Sequence, residues 1–379
     1  MTTLCIRWRR FVVALILASL AAQAAGSDFL SLQRRIVEIY EENRSALVRV
    51  KAVYEAMEDE DTPQVFIGTG FFISREGYVV TNTNIVQNPL REGKPIRVWA
   101  EHDGVSYSAD VVGVDPVANI GLLRLNTLPR NFRFLSLVDT TDMPPVGTLL
   151  VRLSMPLEFE PTPELGMITG FESRFGGRLF PCKYLRTSVA GSPGDGGSAY
   201  LDLNGRLLGV NVVSVPEVGA TYIIPARAVL RIREDLLAAG EVTRGWIGFE
   251  VREESSVSDG SRIIIAAITD NPAREAGLLP GDVLRRIGDY TIRSLDDLRN
   301  AMFYTRVGQY VQVRVARDGE NREVNVRIAK RPDDEPLEIV RPLPGDDLFQ
   351  PVSPVQTEEA TDEDLEESDA SLPRLVPAR

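Results

Sequence analysis

The side chains best suited to chemistry are few in this chain, and they stand apart in sequence. The glycine-rich segment Ser192–Ala199, SPGDGGSA, carries two serine hydroxyls that could act as nucleophiles. A serine needs a neighbouring base to take its proton, and the candidates are Lys183 and His102, the single histidine of the chain. Because His102 precedes Asp103-Gly104, a pair typical of hairpin tips, we expect it to be a solvated turn residue.

Three segments resemble the catalytic motifs of the HtrA (Deg) family of trypsin-like serine proteases. Gly77–Val86, GYVVTNTNIV, resembles the histidine motif, and Asp115–Leu125, DPVANIGLLRL, resembles the aspartate motif. Ser192–Ala199 resembles the nucleophile loop, and Asn271–Met302 is similar to the PDZ core. The motifs follow the order of the family. The resemblance implies a mainly β protein, with a two-barrel trypsin-like (chymotrypsin fold) domain followed by one α+β PDZ domain.

The catalytic side chains of this family are replaced at all three positions. By the resemblance, Asn84 stands in the histidine position, Asn119 in the aspartate position and Gly196 in the serine position. An amide does not accept a proton near neutral pH, and glycine offers no nucleophile. The sequence therefore predicts a pseudoprotease with no catalytic residues. The alternative is an active serine endopeptidase that uses Ser192 or Ser198 with Lys183 or His102.

The vacated positions suggest two local arrangements. A buried aspartate without its histidine would be an uncompensated charge, whereas Asn119 is neutral. We expect the side-chain amides of Asn119 and Asn84 to bond each other. The vestigial oxyanion loop, Gly194 and Asp195 with Gly196, would keep a pair of N–H groups able to hold a carbonyl or carboxylate oxygen.

The PDZ resemblance implies a second site, for extended or C-terminal peptides. Such peptides add a strand to a sheet edge, while backbone N–H groups of a loop hold the terminal carboxylate. Leu298 and Met302 lie four apart on one helical face, so they would floor the groove or else belong to the ordinary core. A hydrophobic C-terminal side chain is the expected ligand. The predicted peptide-binding residues are Trp246, Ile247, Gly248, Phe249, Val251, Leu298 and Met302.

Periodicity and turn residues divide the chain into five segments. Alternating apolar residues and an Asn204-Gly205 turn predict short antiparallel strands, and Pro225 opens a predicted helix over Ala226–Ala239. The acidic tail has too few apolar residues to offset its ordering entropy, which predicts disorder. The predicted segments are a signal peptide at 1–24, an N-terminal helix at 27–43, the trypsin-like domain at 44–240, the PDZ domain at 243–331 and the tail at 332–379.

The first residues favour export. Three arginines within the first ten residues precede the apolar stretch Phe11–Leu20 and Ala22-Gln23-Ala24, the pattern of a cleaved secretory signal. The apolar stretch falls short of the ~20 residues that span a bilayer. We predict a periplasmic protein without a stable membrane span, with tethering by an uncleaved N-terminal segment as the alternative. Cys182 would be the sole thiol of the mature chain, and we expect it in a buried strand.

The charge is concentrated at one end. The formal net charge is −12, and residues 333–379 alone hold 14 acidic and 3 basic side chains. The rest of the chain is nearly neutral, which argues against a nucleic-acid partner. The sequence shows no metal-ligand cluster and no phosphate-binding glycine loop, so we predict no cofactor. The predicted function is non-catalytic peptide binding in envelope protein quality control, as adaptor, holder or regulator. The resemblance adds a homotrimer, or a mixed oligomer with an active paralogue, as an expectation.

Overall fold

The computed structural model describes residues 29–54, 64–87, 96–175, 178–256 and 260–332. The first β-barrel consists of β1 (Leu47–Tyr54), β2 (Gln64–Phe72), β3 (Tyr78–Thr81), β4 (Ile96–His102), β5 (Val105–Asp115) and β6 (Ile120–Leu125). Its strands are antiparallel and close in the order β1-β2-β3-β6-β5-β4. Val48, Val50 and Leu123 are among the residues that fill its interior with no exposed surface.

The second barrel has the same closed antiparallel form. It consists of β7 (Leu149–Ser154), β8 (Thr162–Phe175), β9 (Arg178–Thr187), β10 (Ala199–Asp202), β11 (Leu207–Val215) and β12 (Ala220–Pro225). The closing order is β10-β11-β12-β9-β8-β7. The predicted Asn204-Gly205 turn joins β10 to β11, and Gly205 has a φ of +78°, as a tight hairpin requires.

Helices close the barrels from outside. Helix α1 covers residues 29–43, α2 is the single turn Thr83–Val86, and α3 covers Ala226–Ala239, as predicted for the last. Ile39 of α1 and Ile232 of α3 are fully buried in a hydrophobic cluster that both barrels share. Gly240 ends α3 in the left-handed region, with its N–H bonded to the Leu236 carbonyl.

The third unit is a small α+β domain. Its elements are β13 (Gly245–Trp246), β14 (Phe249–Ser256), β15 (Gly260–Ile268), α4 (Asn271–Glu275), β16 (Val283–Ile287), β17 (Tyr290–Thr291), α5 (Leu295–Tyr304), β18 (Tyr310–Arg317), β19 (Glu320–Arg327) and β20 (Ala329–Lys330). The sheet order is β14-β15-β16-β18-β19, and β13 pairs with β20. Ser294 caps α5, since its hydroxyl accepts a bond from the Asp297 N–H.

Helix α5 joins this domain to the second barrel. Leu298 and Met302 pack against the core of the α+β domain, whereas Phe303 is buried in the hydrophobic cluster that the two barrels share. The Asn300 Oδ1 accepts a bond from the backbone N–H of Lys183 in β9, at 2.9 Å. One helix therefore contacts both folding units.

Two expectations about single residues have opposite outcomes. Cys182 is 2% exposed in β9, as predicted, and burial raises the pKa of its thiol. The prediction that His102 is solvated is wrong. His102 ends β4 next to the predicted turn, but it is 3% exposed, its Nε2 bonds the Ser45 carbonyl at 2.9 Å, and its ring packs edge-on against Phe72. The hydrophobic face offered by Phe72 outweighs the exposure of the turn.

The predicted signal peptide and most of the predicted acidic tail lie outside the described residues. In the part of the chain that the structure does describe, no helix is long and apolar enough to cross a bilayer.

Candidate functional site

Two of the positions that are predicted to be vacated meet at the junction of the barrels. Asn84 lies in α2, and Asn119 lies between β5 and β6. Asn119 has a φ of +56°, a left-handed conformation that asparagine tolerates better than most residues. Its Oδ1 accepts a bond from the backbone N–H of Asn84 at 3.2 Å, and its Nδ2 donates to the Val212 carbonyl in β11 at 2.9 Å. Asn119 therefore ties the first barrel to the second.

The expected bond between the two side-chain amides is not formed. Asn84 contributes its backbone N–H, and its Oδ1 is buried without a partner among the described residues. The amide-to-amide prediction is wrong because both polar atoms of the Asn119 side chain are already engaged, one by the backbone of α2 and one by the backbone of β11.

The third of these positions, Gly196, lies in a loop that is hydrogen-bonded to β2. The Gly196 carbonyl accepts a bond from the Thr69 N–H at 2.9 Å, and the Gly194 carbonyl accepts one from the Thr69 hydroxyl at 3.0 Å. Gly194 and Gly197 both have a φ of +85°, and a Cβ on Gly197 would stand 2.1 Å from the Thr69 carbonyl oxygen. The glycines permit this close approach of loop and strand.

A small cavity opens beside this loop. Its volume is about 30 Å³, close to that of one water molecule. Within the described part of the chain, the backbone N–H groups of Gly194 and Gly196 have no acceptor. The cavity is lined by Asn82, Gly191, Ser192, Pro193, Gly194, Gly196, Asn211, Val212, Ser214 and Pro216.

Asn82 is a polar residue of this cavity that the sequence analysis missed. It is 1% exposed, and neither its Oδ1 nor its Nδ2 has a partner in the described ranges. Its position before the one-turn helix α2 is the ordinary place for a capping side chain, yet its side chain makes no cap hydrogen bond. The signal available in sequence was an asparagine directly after a buried strand, which by itself indicates only a helix start.

Asp195 anchors the loop through a buried ion pair. Its Oδ2 lies 2.6 Å from Arg152 Nη1 and accepts a bond from the Ser192 N–H, also at 2.6 Å. Both side chains of the ion pair are 1% exposed. Burial raises the pKa of Asp195 to about 6, although the charge of Arg152 and the Ser192 N–H act in the opposite direction. Arg152 also contacts Glu164, so one guanidinium serves two carboxylates.

The alternative catalytic pairs are not brought together. The Ser198 hydroxyl is buried and donates to the Asp195 carbonyl at 2.6 Å. Lys183 Nζ lies 3.6 Å from the Asp297 carboxylate of α5, and His102 is bonded to the Ser45 carbonyl. Ser192 is exposed, and in the described residues its side chain has no recorded basic neighbour.

The second candidate site lies at the start of β14. Gly248 has a φ of +88°, and its carbonyl accepts bonds from the Thr269 and Asp270 N–H groups. A Cβ on Gly248 would stand 2.8 Å from the Asp270 Cβ. Trp246 precedes this turn in β13, where it pairs with Ala329.

The sheet edge beside this turn is open within the described structure. Strand β14 is the first in the sheet order, so one side of its backbone faces no other described strand. Of the predicted groove residues, Ile247 is 2% exposed and Phe249 9%, both in the core. Val251, Leu298 and Met302 are partly buried and pack against that core. The last three therefore combine core contacts with accessible surface.

Two family models match the chain. Residues 68–210 match the model of the trypsin-like peptidase domain, and residues 245–328 match the model of the PDZ domain. A protein of Chlamydia trachomatis called "Probable periplasmic serine endoprotease DegP-like" is 28% identical over 289 residues, which cover 73% of this chain and 56% of the relative. A protein of the same description from Brucella suis is 27% identical over 280 residues, covering 71% and 53%. The chain spans about half the length of these curated relatives.

Solved structures share the fold. "HtrA-type protease AlgW with decapeptide" has a TM-score of 0.59 at 22% identity, and the match covers 78% of this chain and 99% of that chain. The serine endoprotease from Yersinia pestis has a TM-score of 0.53, also at 22% identity, with 78% and 98% covered.

Proposed function

From a chain that carries a trypsin-like peptidase domain followed by a PDZ domain, the arrangement of HtrA-type proteases, we propose a pseudoprotease that binds peptides without cutting them. The observation that carries the proposal is the chemistry at the three triad positions. Asn84, Asn119 and Gly196 supply no nucleophile, no base and no carboxylate.

The contacts of the remaining candidates support the absence of a substitute triad. A general base must come within about 2.6–3.2 Å of the proton that it removes, directly or through one water. The Ser198 hydroxyl is already bonded to the Asp195 carbonyl, and Lys183 is turned toward α5. The alternative function is an active serine endopeptidase with a non-standard site. It would require the Ser198 hydroxyl to leave the Asp195 carbonyl, or Lys183 to leave Asp297, and a serine and a base to come within hydrogen-bond distance.

The cleft between the barrels retains groups suited to holding a peptide oxygen. The N–H groups of Gly194 and Gly196 are free within the described residues, and the amide of Asn82 lines the same cavity unpartnered. Backbone N–H groups in such a loop favour an anionic or carbonyl oxygen. In our proposal, a segment of an unfolded protein rests here with its carbonyl held but not attacked.

The PDZ domain is the proposed main peptide site. An added peptide strand would bond to the open edge of β14, and its terminal carboxylate would meet the Ile247-Gly248 turn. Val251, Leu298 and Met302 would contact a hydrophobic C-terminal side chain. The solved structure of AlgW contains a bound decapeptide, which supports peptide binding as the property to test first.

The proposed setting is the periplasm, where the protein would act in envelope protein quality control as adaptor, holder or regulator. The names of the curated relatives, periplasmic DegP-like endoproteases, support this setting. An active paralogue would then perform the cleavage.

Two assays on the purified full chain test the two halves of the proposal separately. The first combines labelling by a fluorophosphonate probe with casein cleavage, beside an active DegP-like relative. We expect neither labelling nor turnover, and values comparable to those of the relative would overturn the non-catalytic assignment. The second measures fluorescence anisotropy of a decapeptide with a hydrophobic C-terminal residue, free or amidated. Equal binding of the two forms, or no binding of either, would overturn the carboxylate-loop assignment.

A further inference from the structure

One surface beside the first barrel carries three arginines that have no ion-pair partner among the described residues. Arg75 lies in the turn between β2 and β3, while Arg130 and Arg133 lie in the segment after β6. All three are exposed and line one cleft of about 730 Å³, together with Phe132 and Phe134. We call this surface, defined by these five residues, the arginine cleft.

The three arginines differ from Arg152 and Arg244 in having no carboxylate partner among the described residues. Arg152 and Arg244 each contact a carboxylate, and the Nη2 of Arg244 donates to both carboxylate oxygens of Asp115. Within the described ranges, Arg75, Arg130 and Arg133 have no carboxylate within ion-pair distance. Glu76 lies beyond ion-pair distance of Arg75, although its pKa is lowered, first by the hydrogen bond with Ser74 and also by the charges of Arg233 and Arg75.

The cleft offers apolar surface as well as charge. Phe132 packs against Phe72 with ring centroids 4.3 Å apart, and the Arg75 guanidinium lies 5.9 Å from the centroid of the Phe134 ring. Both phenylalanines keep part of their surface accessible. A ligand that complements this surface needs several carboxylates and at least one apolar side chain.

We propose that the acidic segment at 358–369 of this same chain binds in the arginine cleft. This stretch, EEATDEDLEESD, has eight acidic residues among its twelve and a leucine, Leu365, in their midst. No other stretch of twelve residues in the sequence holds as many acidic side chains, and the three arginines of the cleft have no ion-pair partner among the described residues. The inference is independent of the proposed function.

The connection is long enough. The last described part of the chain lies on the barrels, because the Arg331 N–H bonds the Arg244 carbonyl and Arg244 pairs with Asp115 of β5. The 25 residues from 333 to 357 can span up to about 80 Å when extended. That length exceeds the dimensions of a two-barrel domain of this size. Intramolecular attachment also raises the effective concentration of the segment at the cleft.

The test is a distance measurement on the full mature chain. Cys182 is buried, so spin labels attach selectively to two introduced cysteines, Ser136→Cys at the cleft and Ser368→Cys in the segment. Pulsed electron paramagnetic resonance should give a short, defined distance population at low salt. That population should vanish at about 1 M salt, where the Debye length falls to ~3 Å.

Charge reversal separates the cleft from general electrostatics. Arg75→Glu, Arg130→Glu and Arg133→Glu together should abolish the short distance, and so should glutamine and asparagine substitutions of the eight acidic residues at 358–369. The matched control reverses three other exposed arginines that lack ion-pair partners in the described structure, Arg97, Arg285 and Arg327, and should keep the short distance.

Three outcomes would overturn the proposal. The distance could be unchanged in the cleft variant, lost equally in the control variant, or seen between singly labelled chains mixed in equal amounts. The last result would assign the cleft to the tail of a second copy. Circular dichroism melting of each variant verifies that a lost distance does not reflect unfolding.

Discussion

The side-chain oxygen of Asn119 lies 3.2 Å from the backbone nitrogen of Asn84 and accepts its hydrogen bond. By the resemblance to HtrA-type proteases these are the histidine and aspartate positions, and the bond that joins them here involves no ionisable group. The bond holds α2 against the connection between β5 and β6. We therefore expect the backbone to accept the histidine, aspartate and serine of an active protease at positions 84, 119 and 196.

Restoring the triad should restore activity only when all three residues return. Gly196 does not have a positive φ, so Gly196→Ser fits the backbone. That single variant should stay inactive because no base is present. The triple variant with Asn84→His and Asn119→Asp should exceed it by about 10²-fold or more in casein hydrolysis, the usual contribution of general acid–base catalysis. Equal rates for the single and triple variants would contradict the assignment of these positions.

Removing the cation from the buried Arg152–Asp195 ion pair should destabilise the folded protein. Arg152→Leu leaves the Asp195 carboxylate buried without its guanidinium. We expect the free energy of unfolding at pH 7 to fall by about 3–5 kcal/mol. The double variant Arg152→Leu with Asp195→Asn should recover most of that loss, because no buried charge remains. Urea titrations of the wild type, Arg152→Leu, Asp195→Asn and the double variant measure the coupling free energy between the two side chains. Additive losses of stability would show that the two side chains act independently.

The stability of the wild-type chain should depend on the protonation of Asp195. The ordinary pKa of this carboxyl is 3.8, and burial raises it to about 6 in the folded protein. Between these values the folded state binds more protons than the unfolded state. The contribution of Asp195 to the free energy of unfolding therefore falls as pH rises from about 4 to about 6, by at most about 3 kcal/mol.

The variant Asp195→Asn isolates this contribution from those of other carboxyls. The difference in unfolding free energy between wild type and variant should decline from about pH 4 to about pH 6 and be constant above it. Urea titrations at a series of pH values supply the difference. A difference that rises with pH over this interval would mean that the pKa of Asp195 is lowered instead.

A side chain at Gly248 should impair peptide binding more than folding. Gly248→Ala places a Cβ 2.8 Å from the Asp270 Cβ and distorts the turn proposed to hold the carboxylate. Gly277→Ala is the matched control, because Gly277 also has a positive φ, +76°, but its Cβ would meet nothing within 4 Å. We expect about tenfold or greater loss of affinity for the hydrophobic decapeptide in the first variant only. Equal losses in both would indicate general strain.

Much of the architecture could be predicted from local sequence. The hairpin at Asn204-Gly205 and the helix Ala226–Ala239 each follow from residues within a few positions, and the structure has them where expected. Turn and cap preferences depend on local backbone geometry, which short sequence patterns specify. The closing order of the barrels depends on pairings between distant strands, and the resemblance implied only that there would be two barrels.

The sequence by itself determined which chemical groups stand at the vacated positions, because side-chain type is independent of folding. Only the tertiary structure decided their partners. Asn119 bonds to backbone atoms of α2 and β11 rather than to the Asn84 amide, and Asp195 pairs with Arg152, 43 positions away. The burial of His102 and the lack of a partner for the Asn82 amide among the described residues also depend on the tertiary structure. Burial and hydrogen bonding depend on segments that only the closed barrels bring together, and no local pattern encodes that proximity.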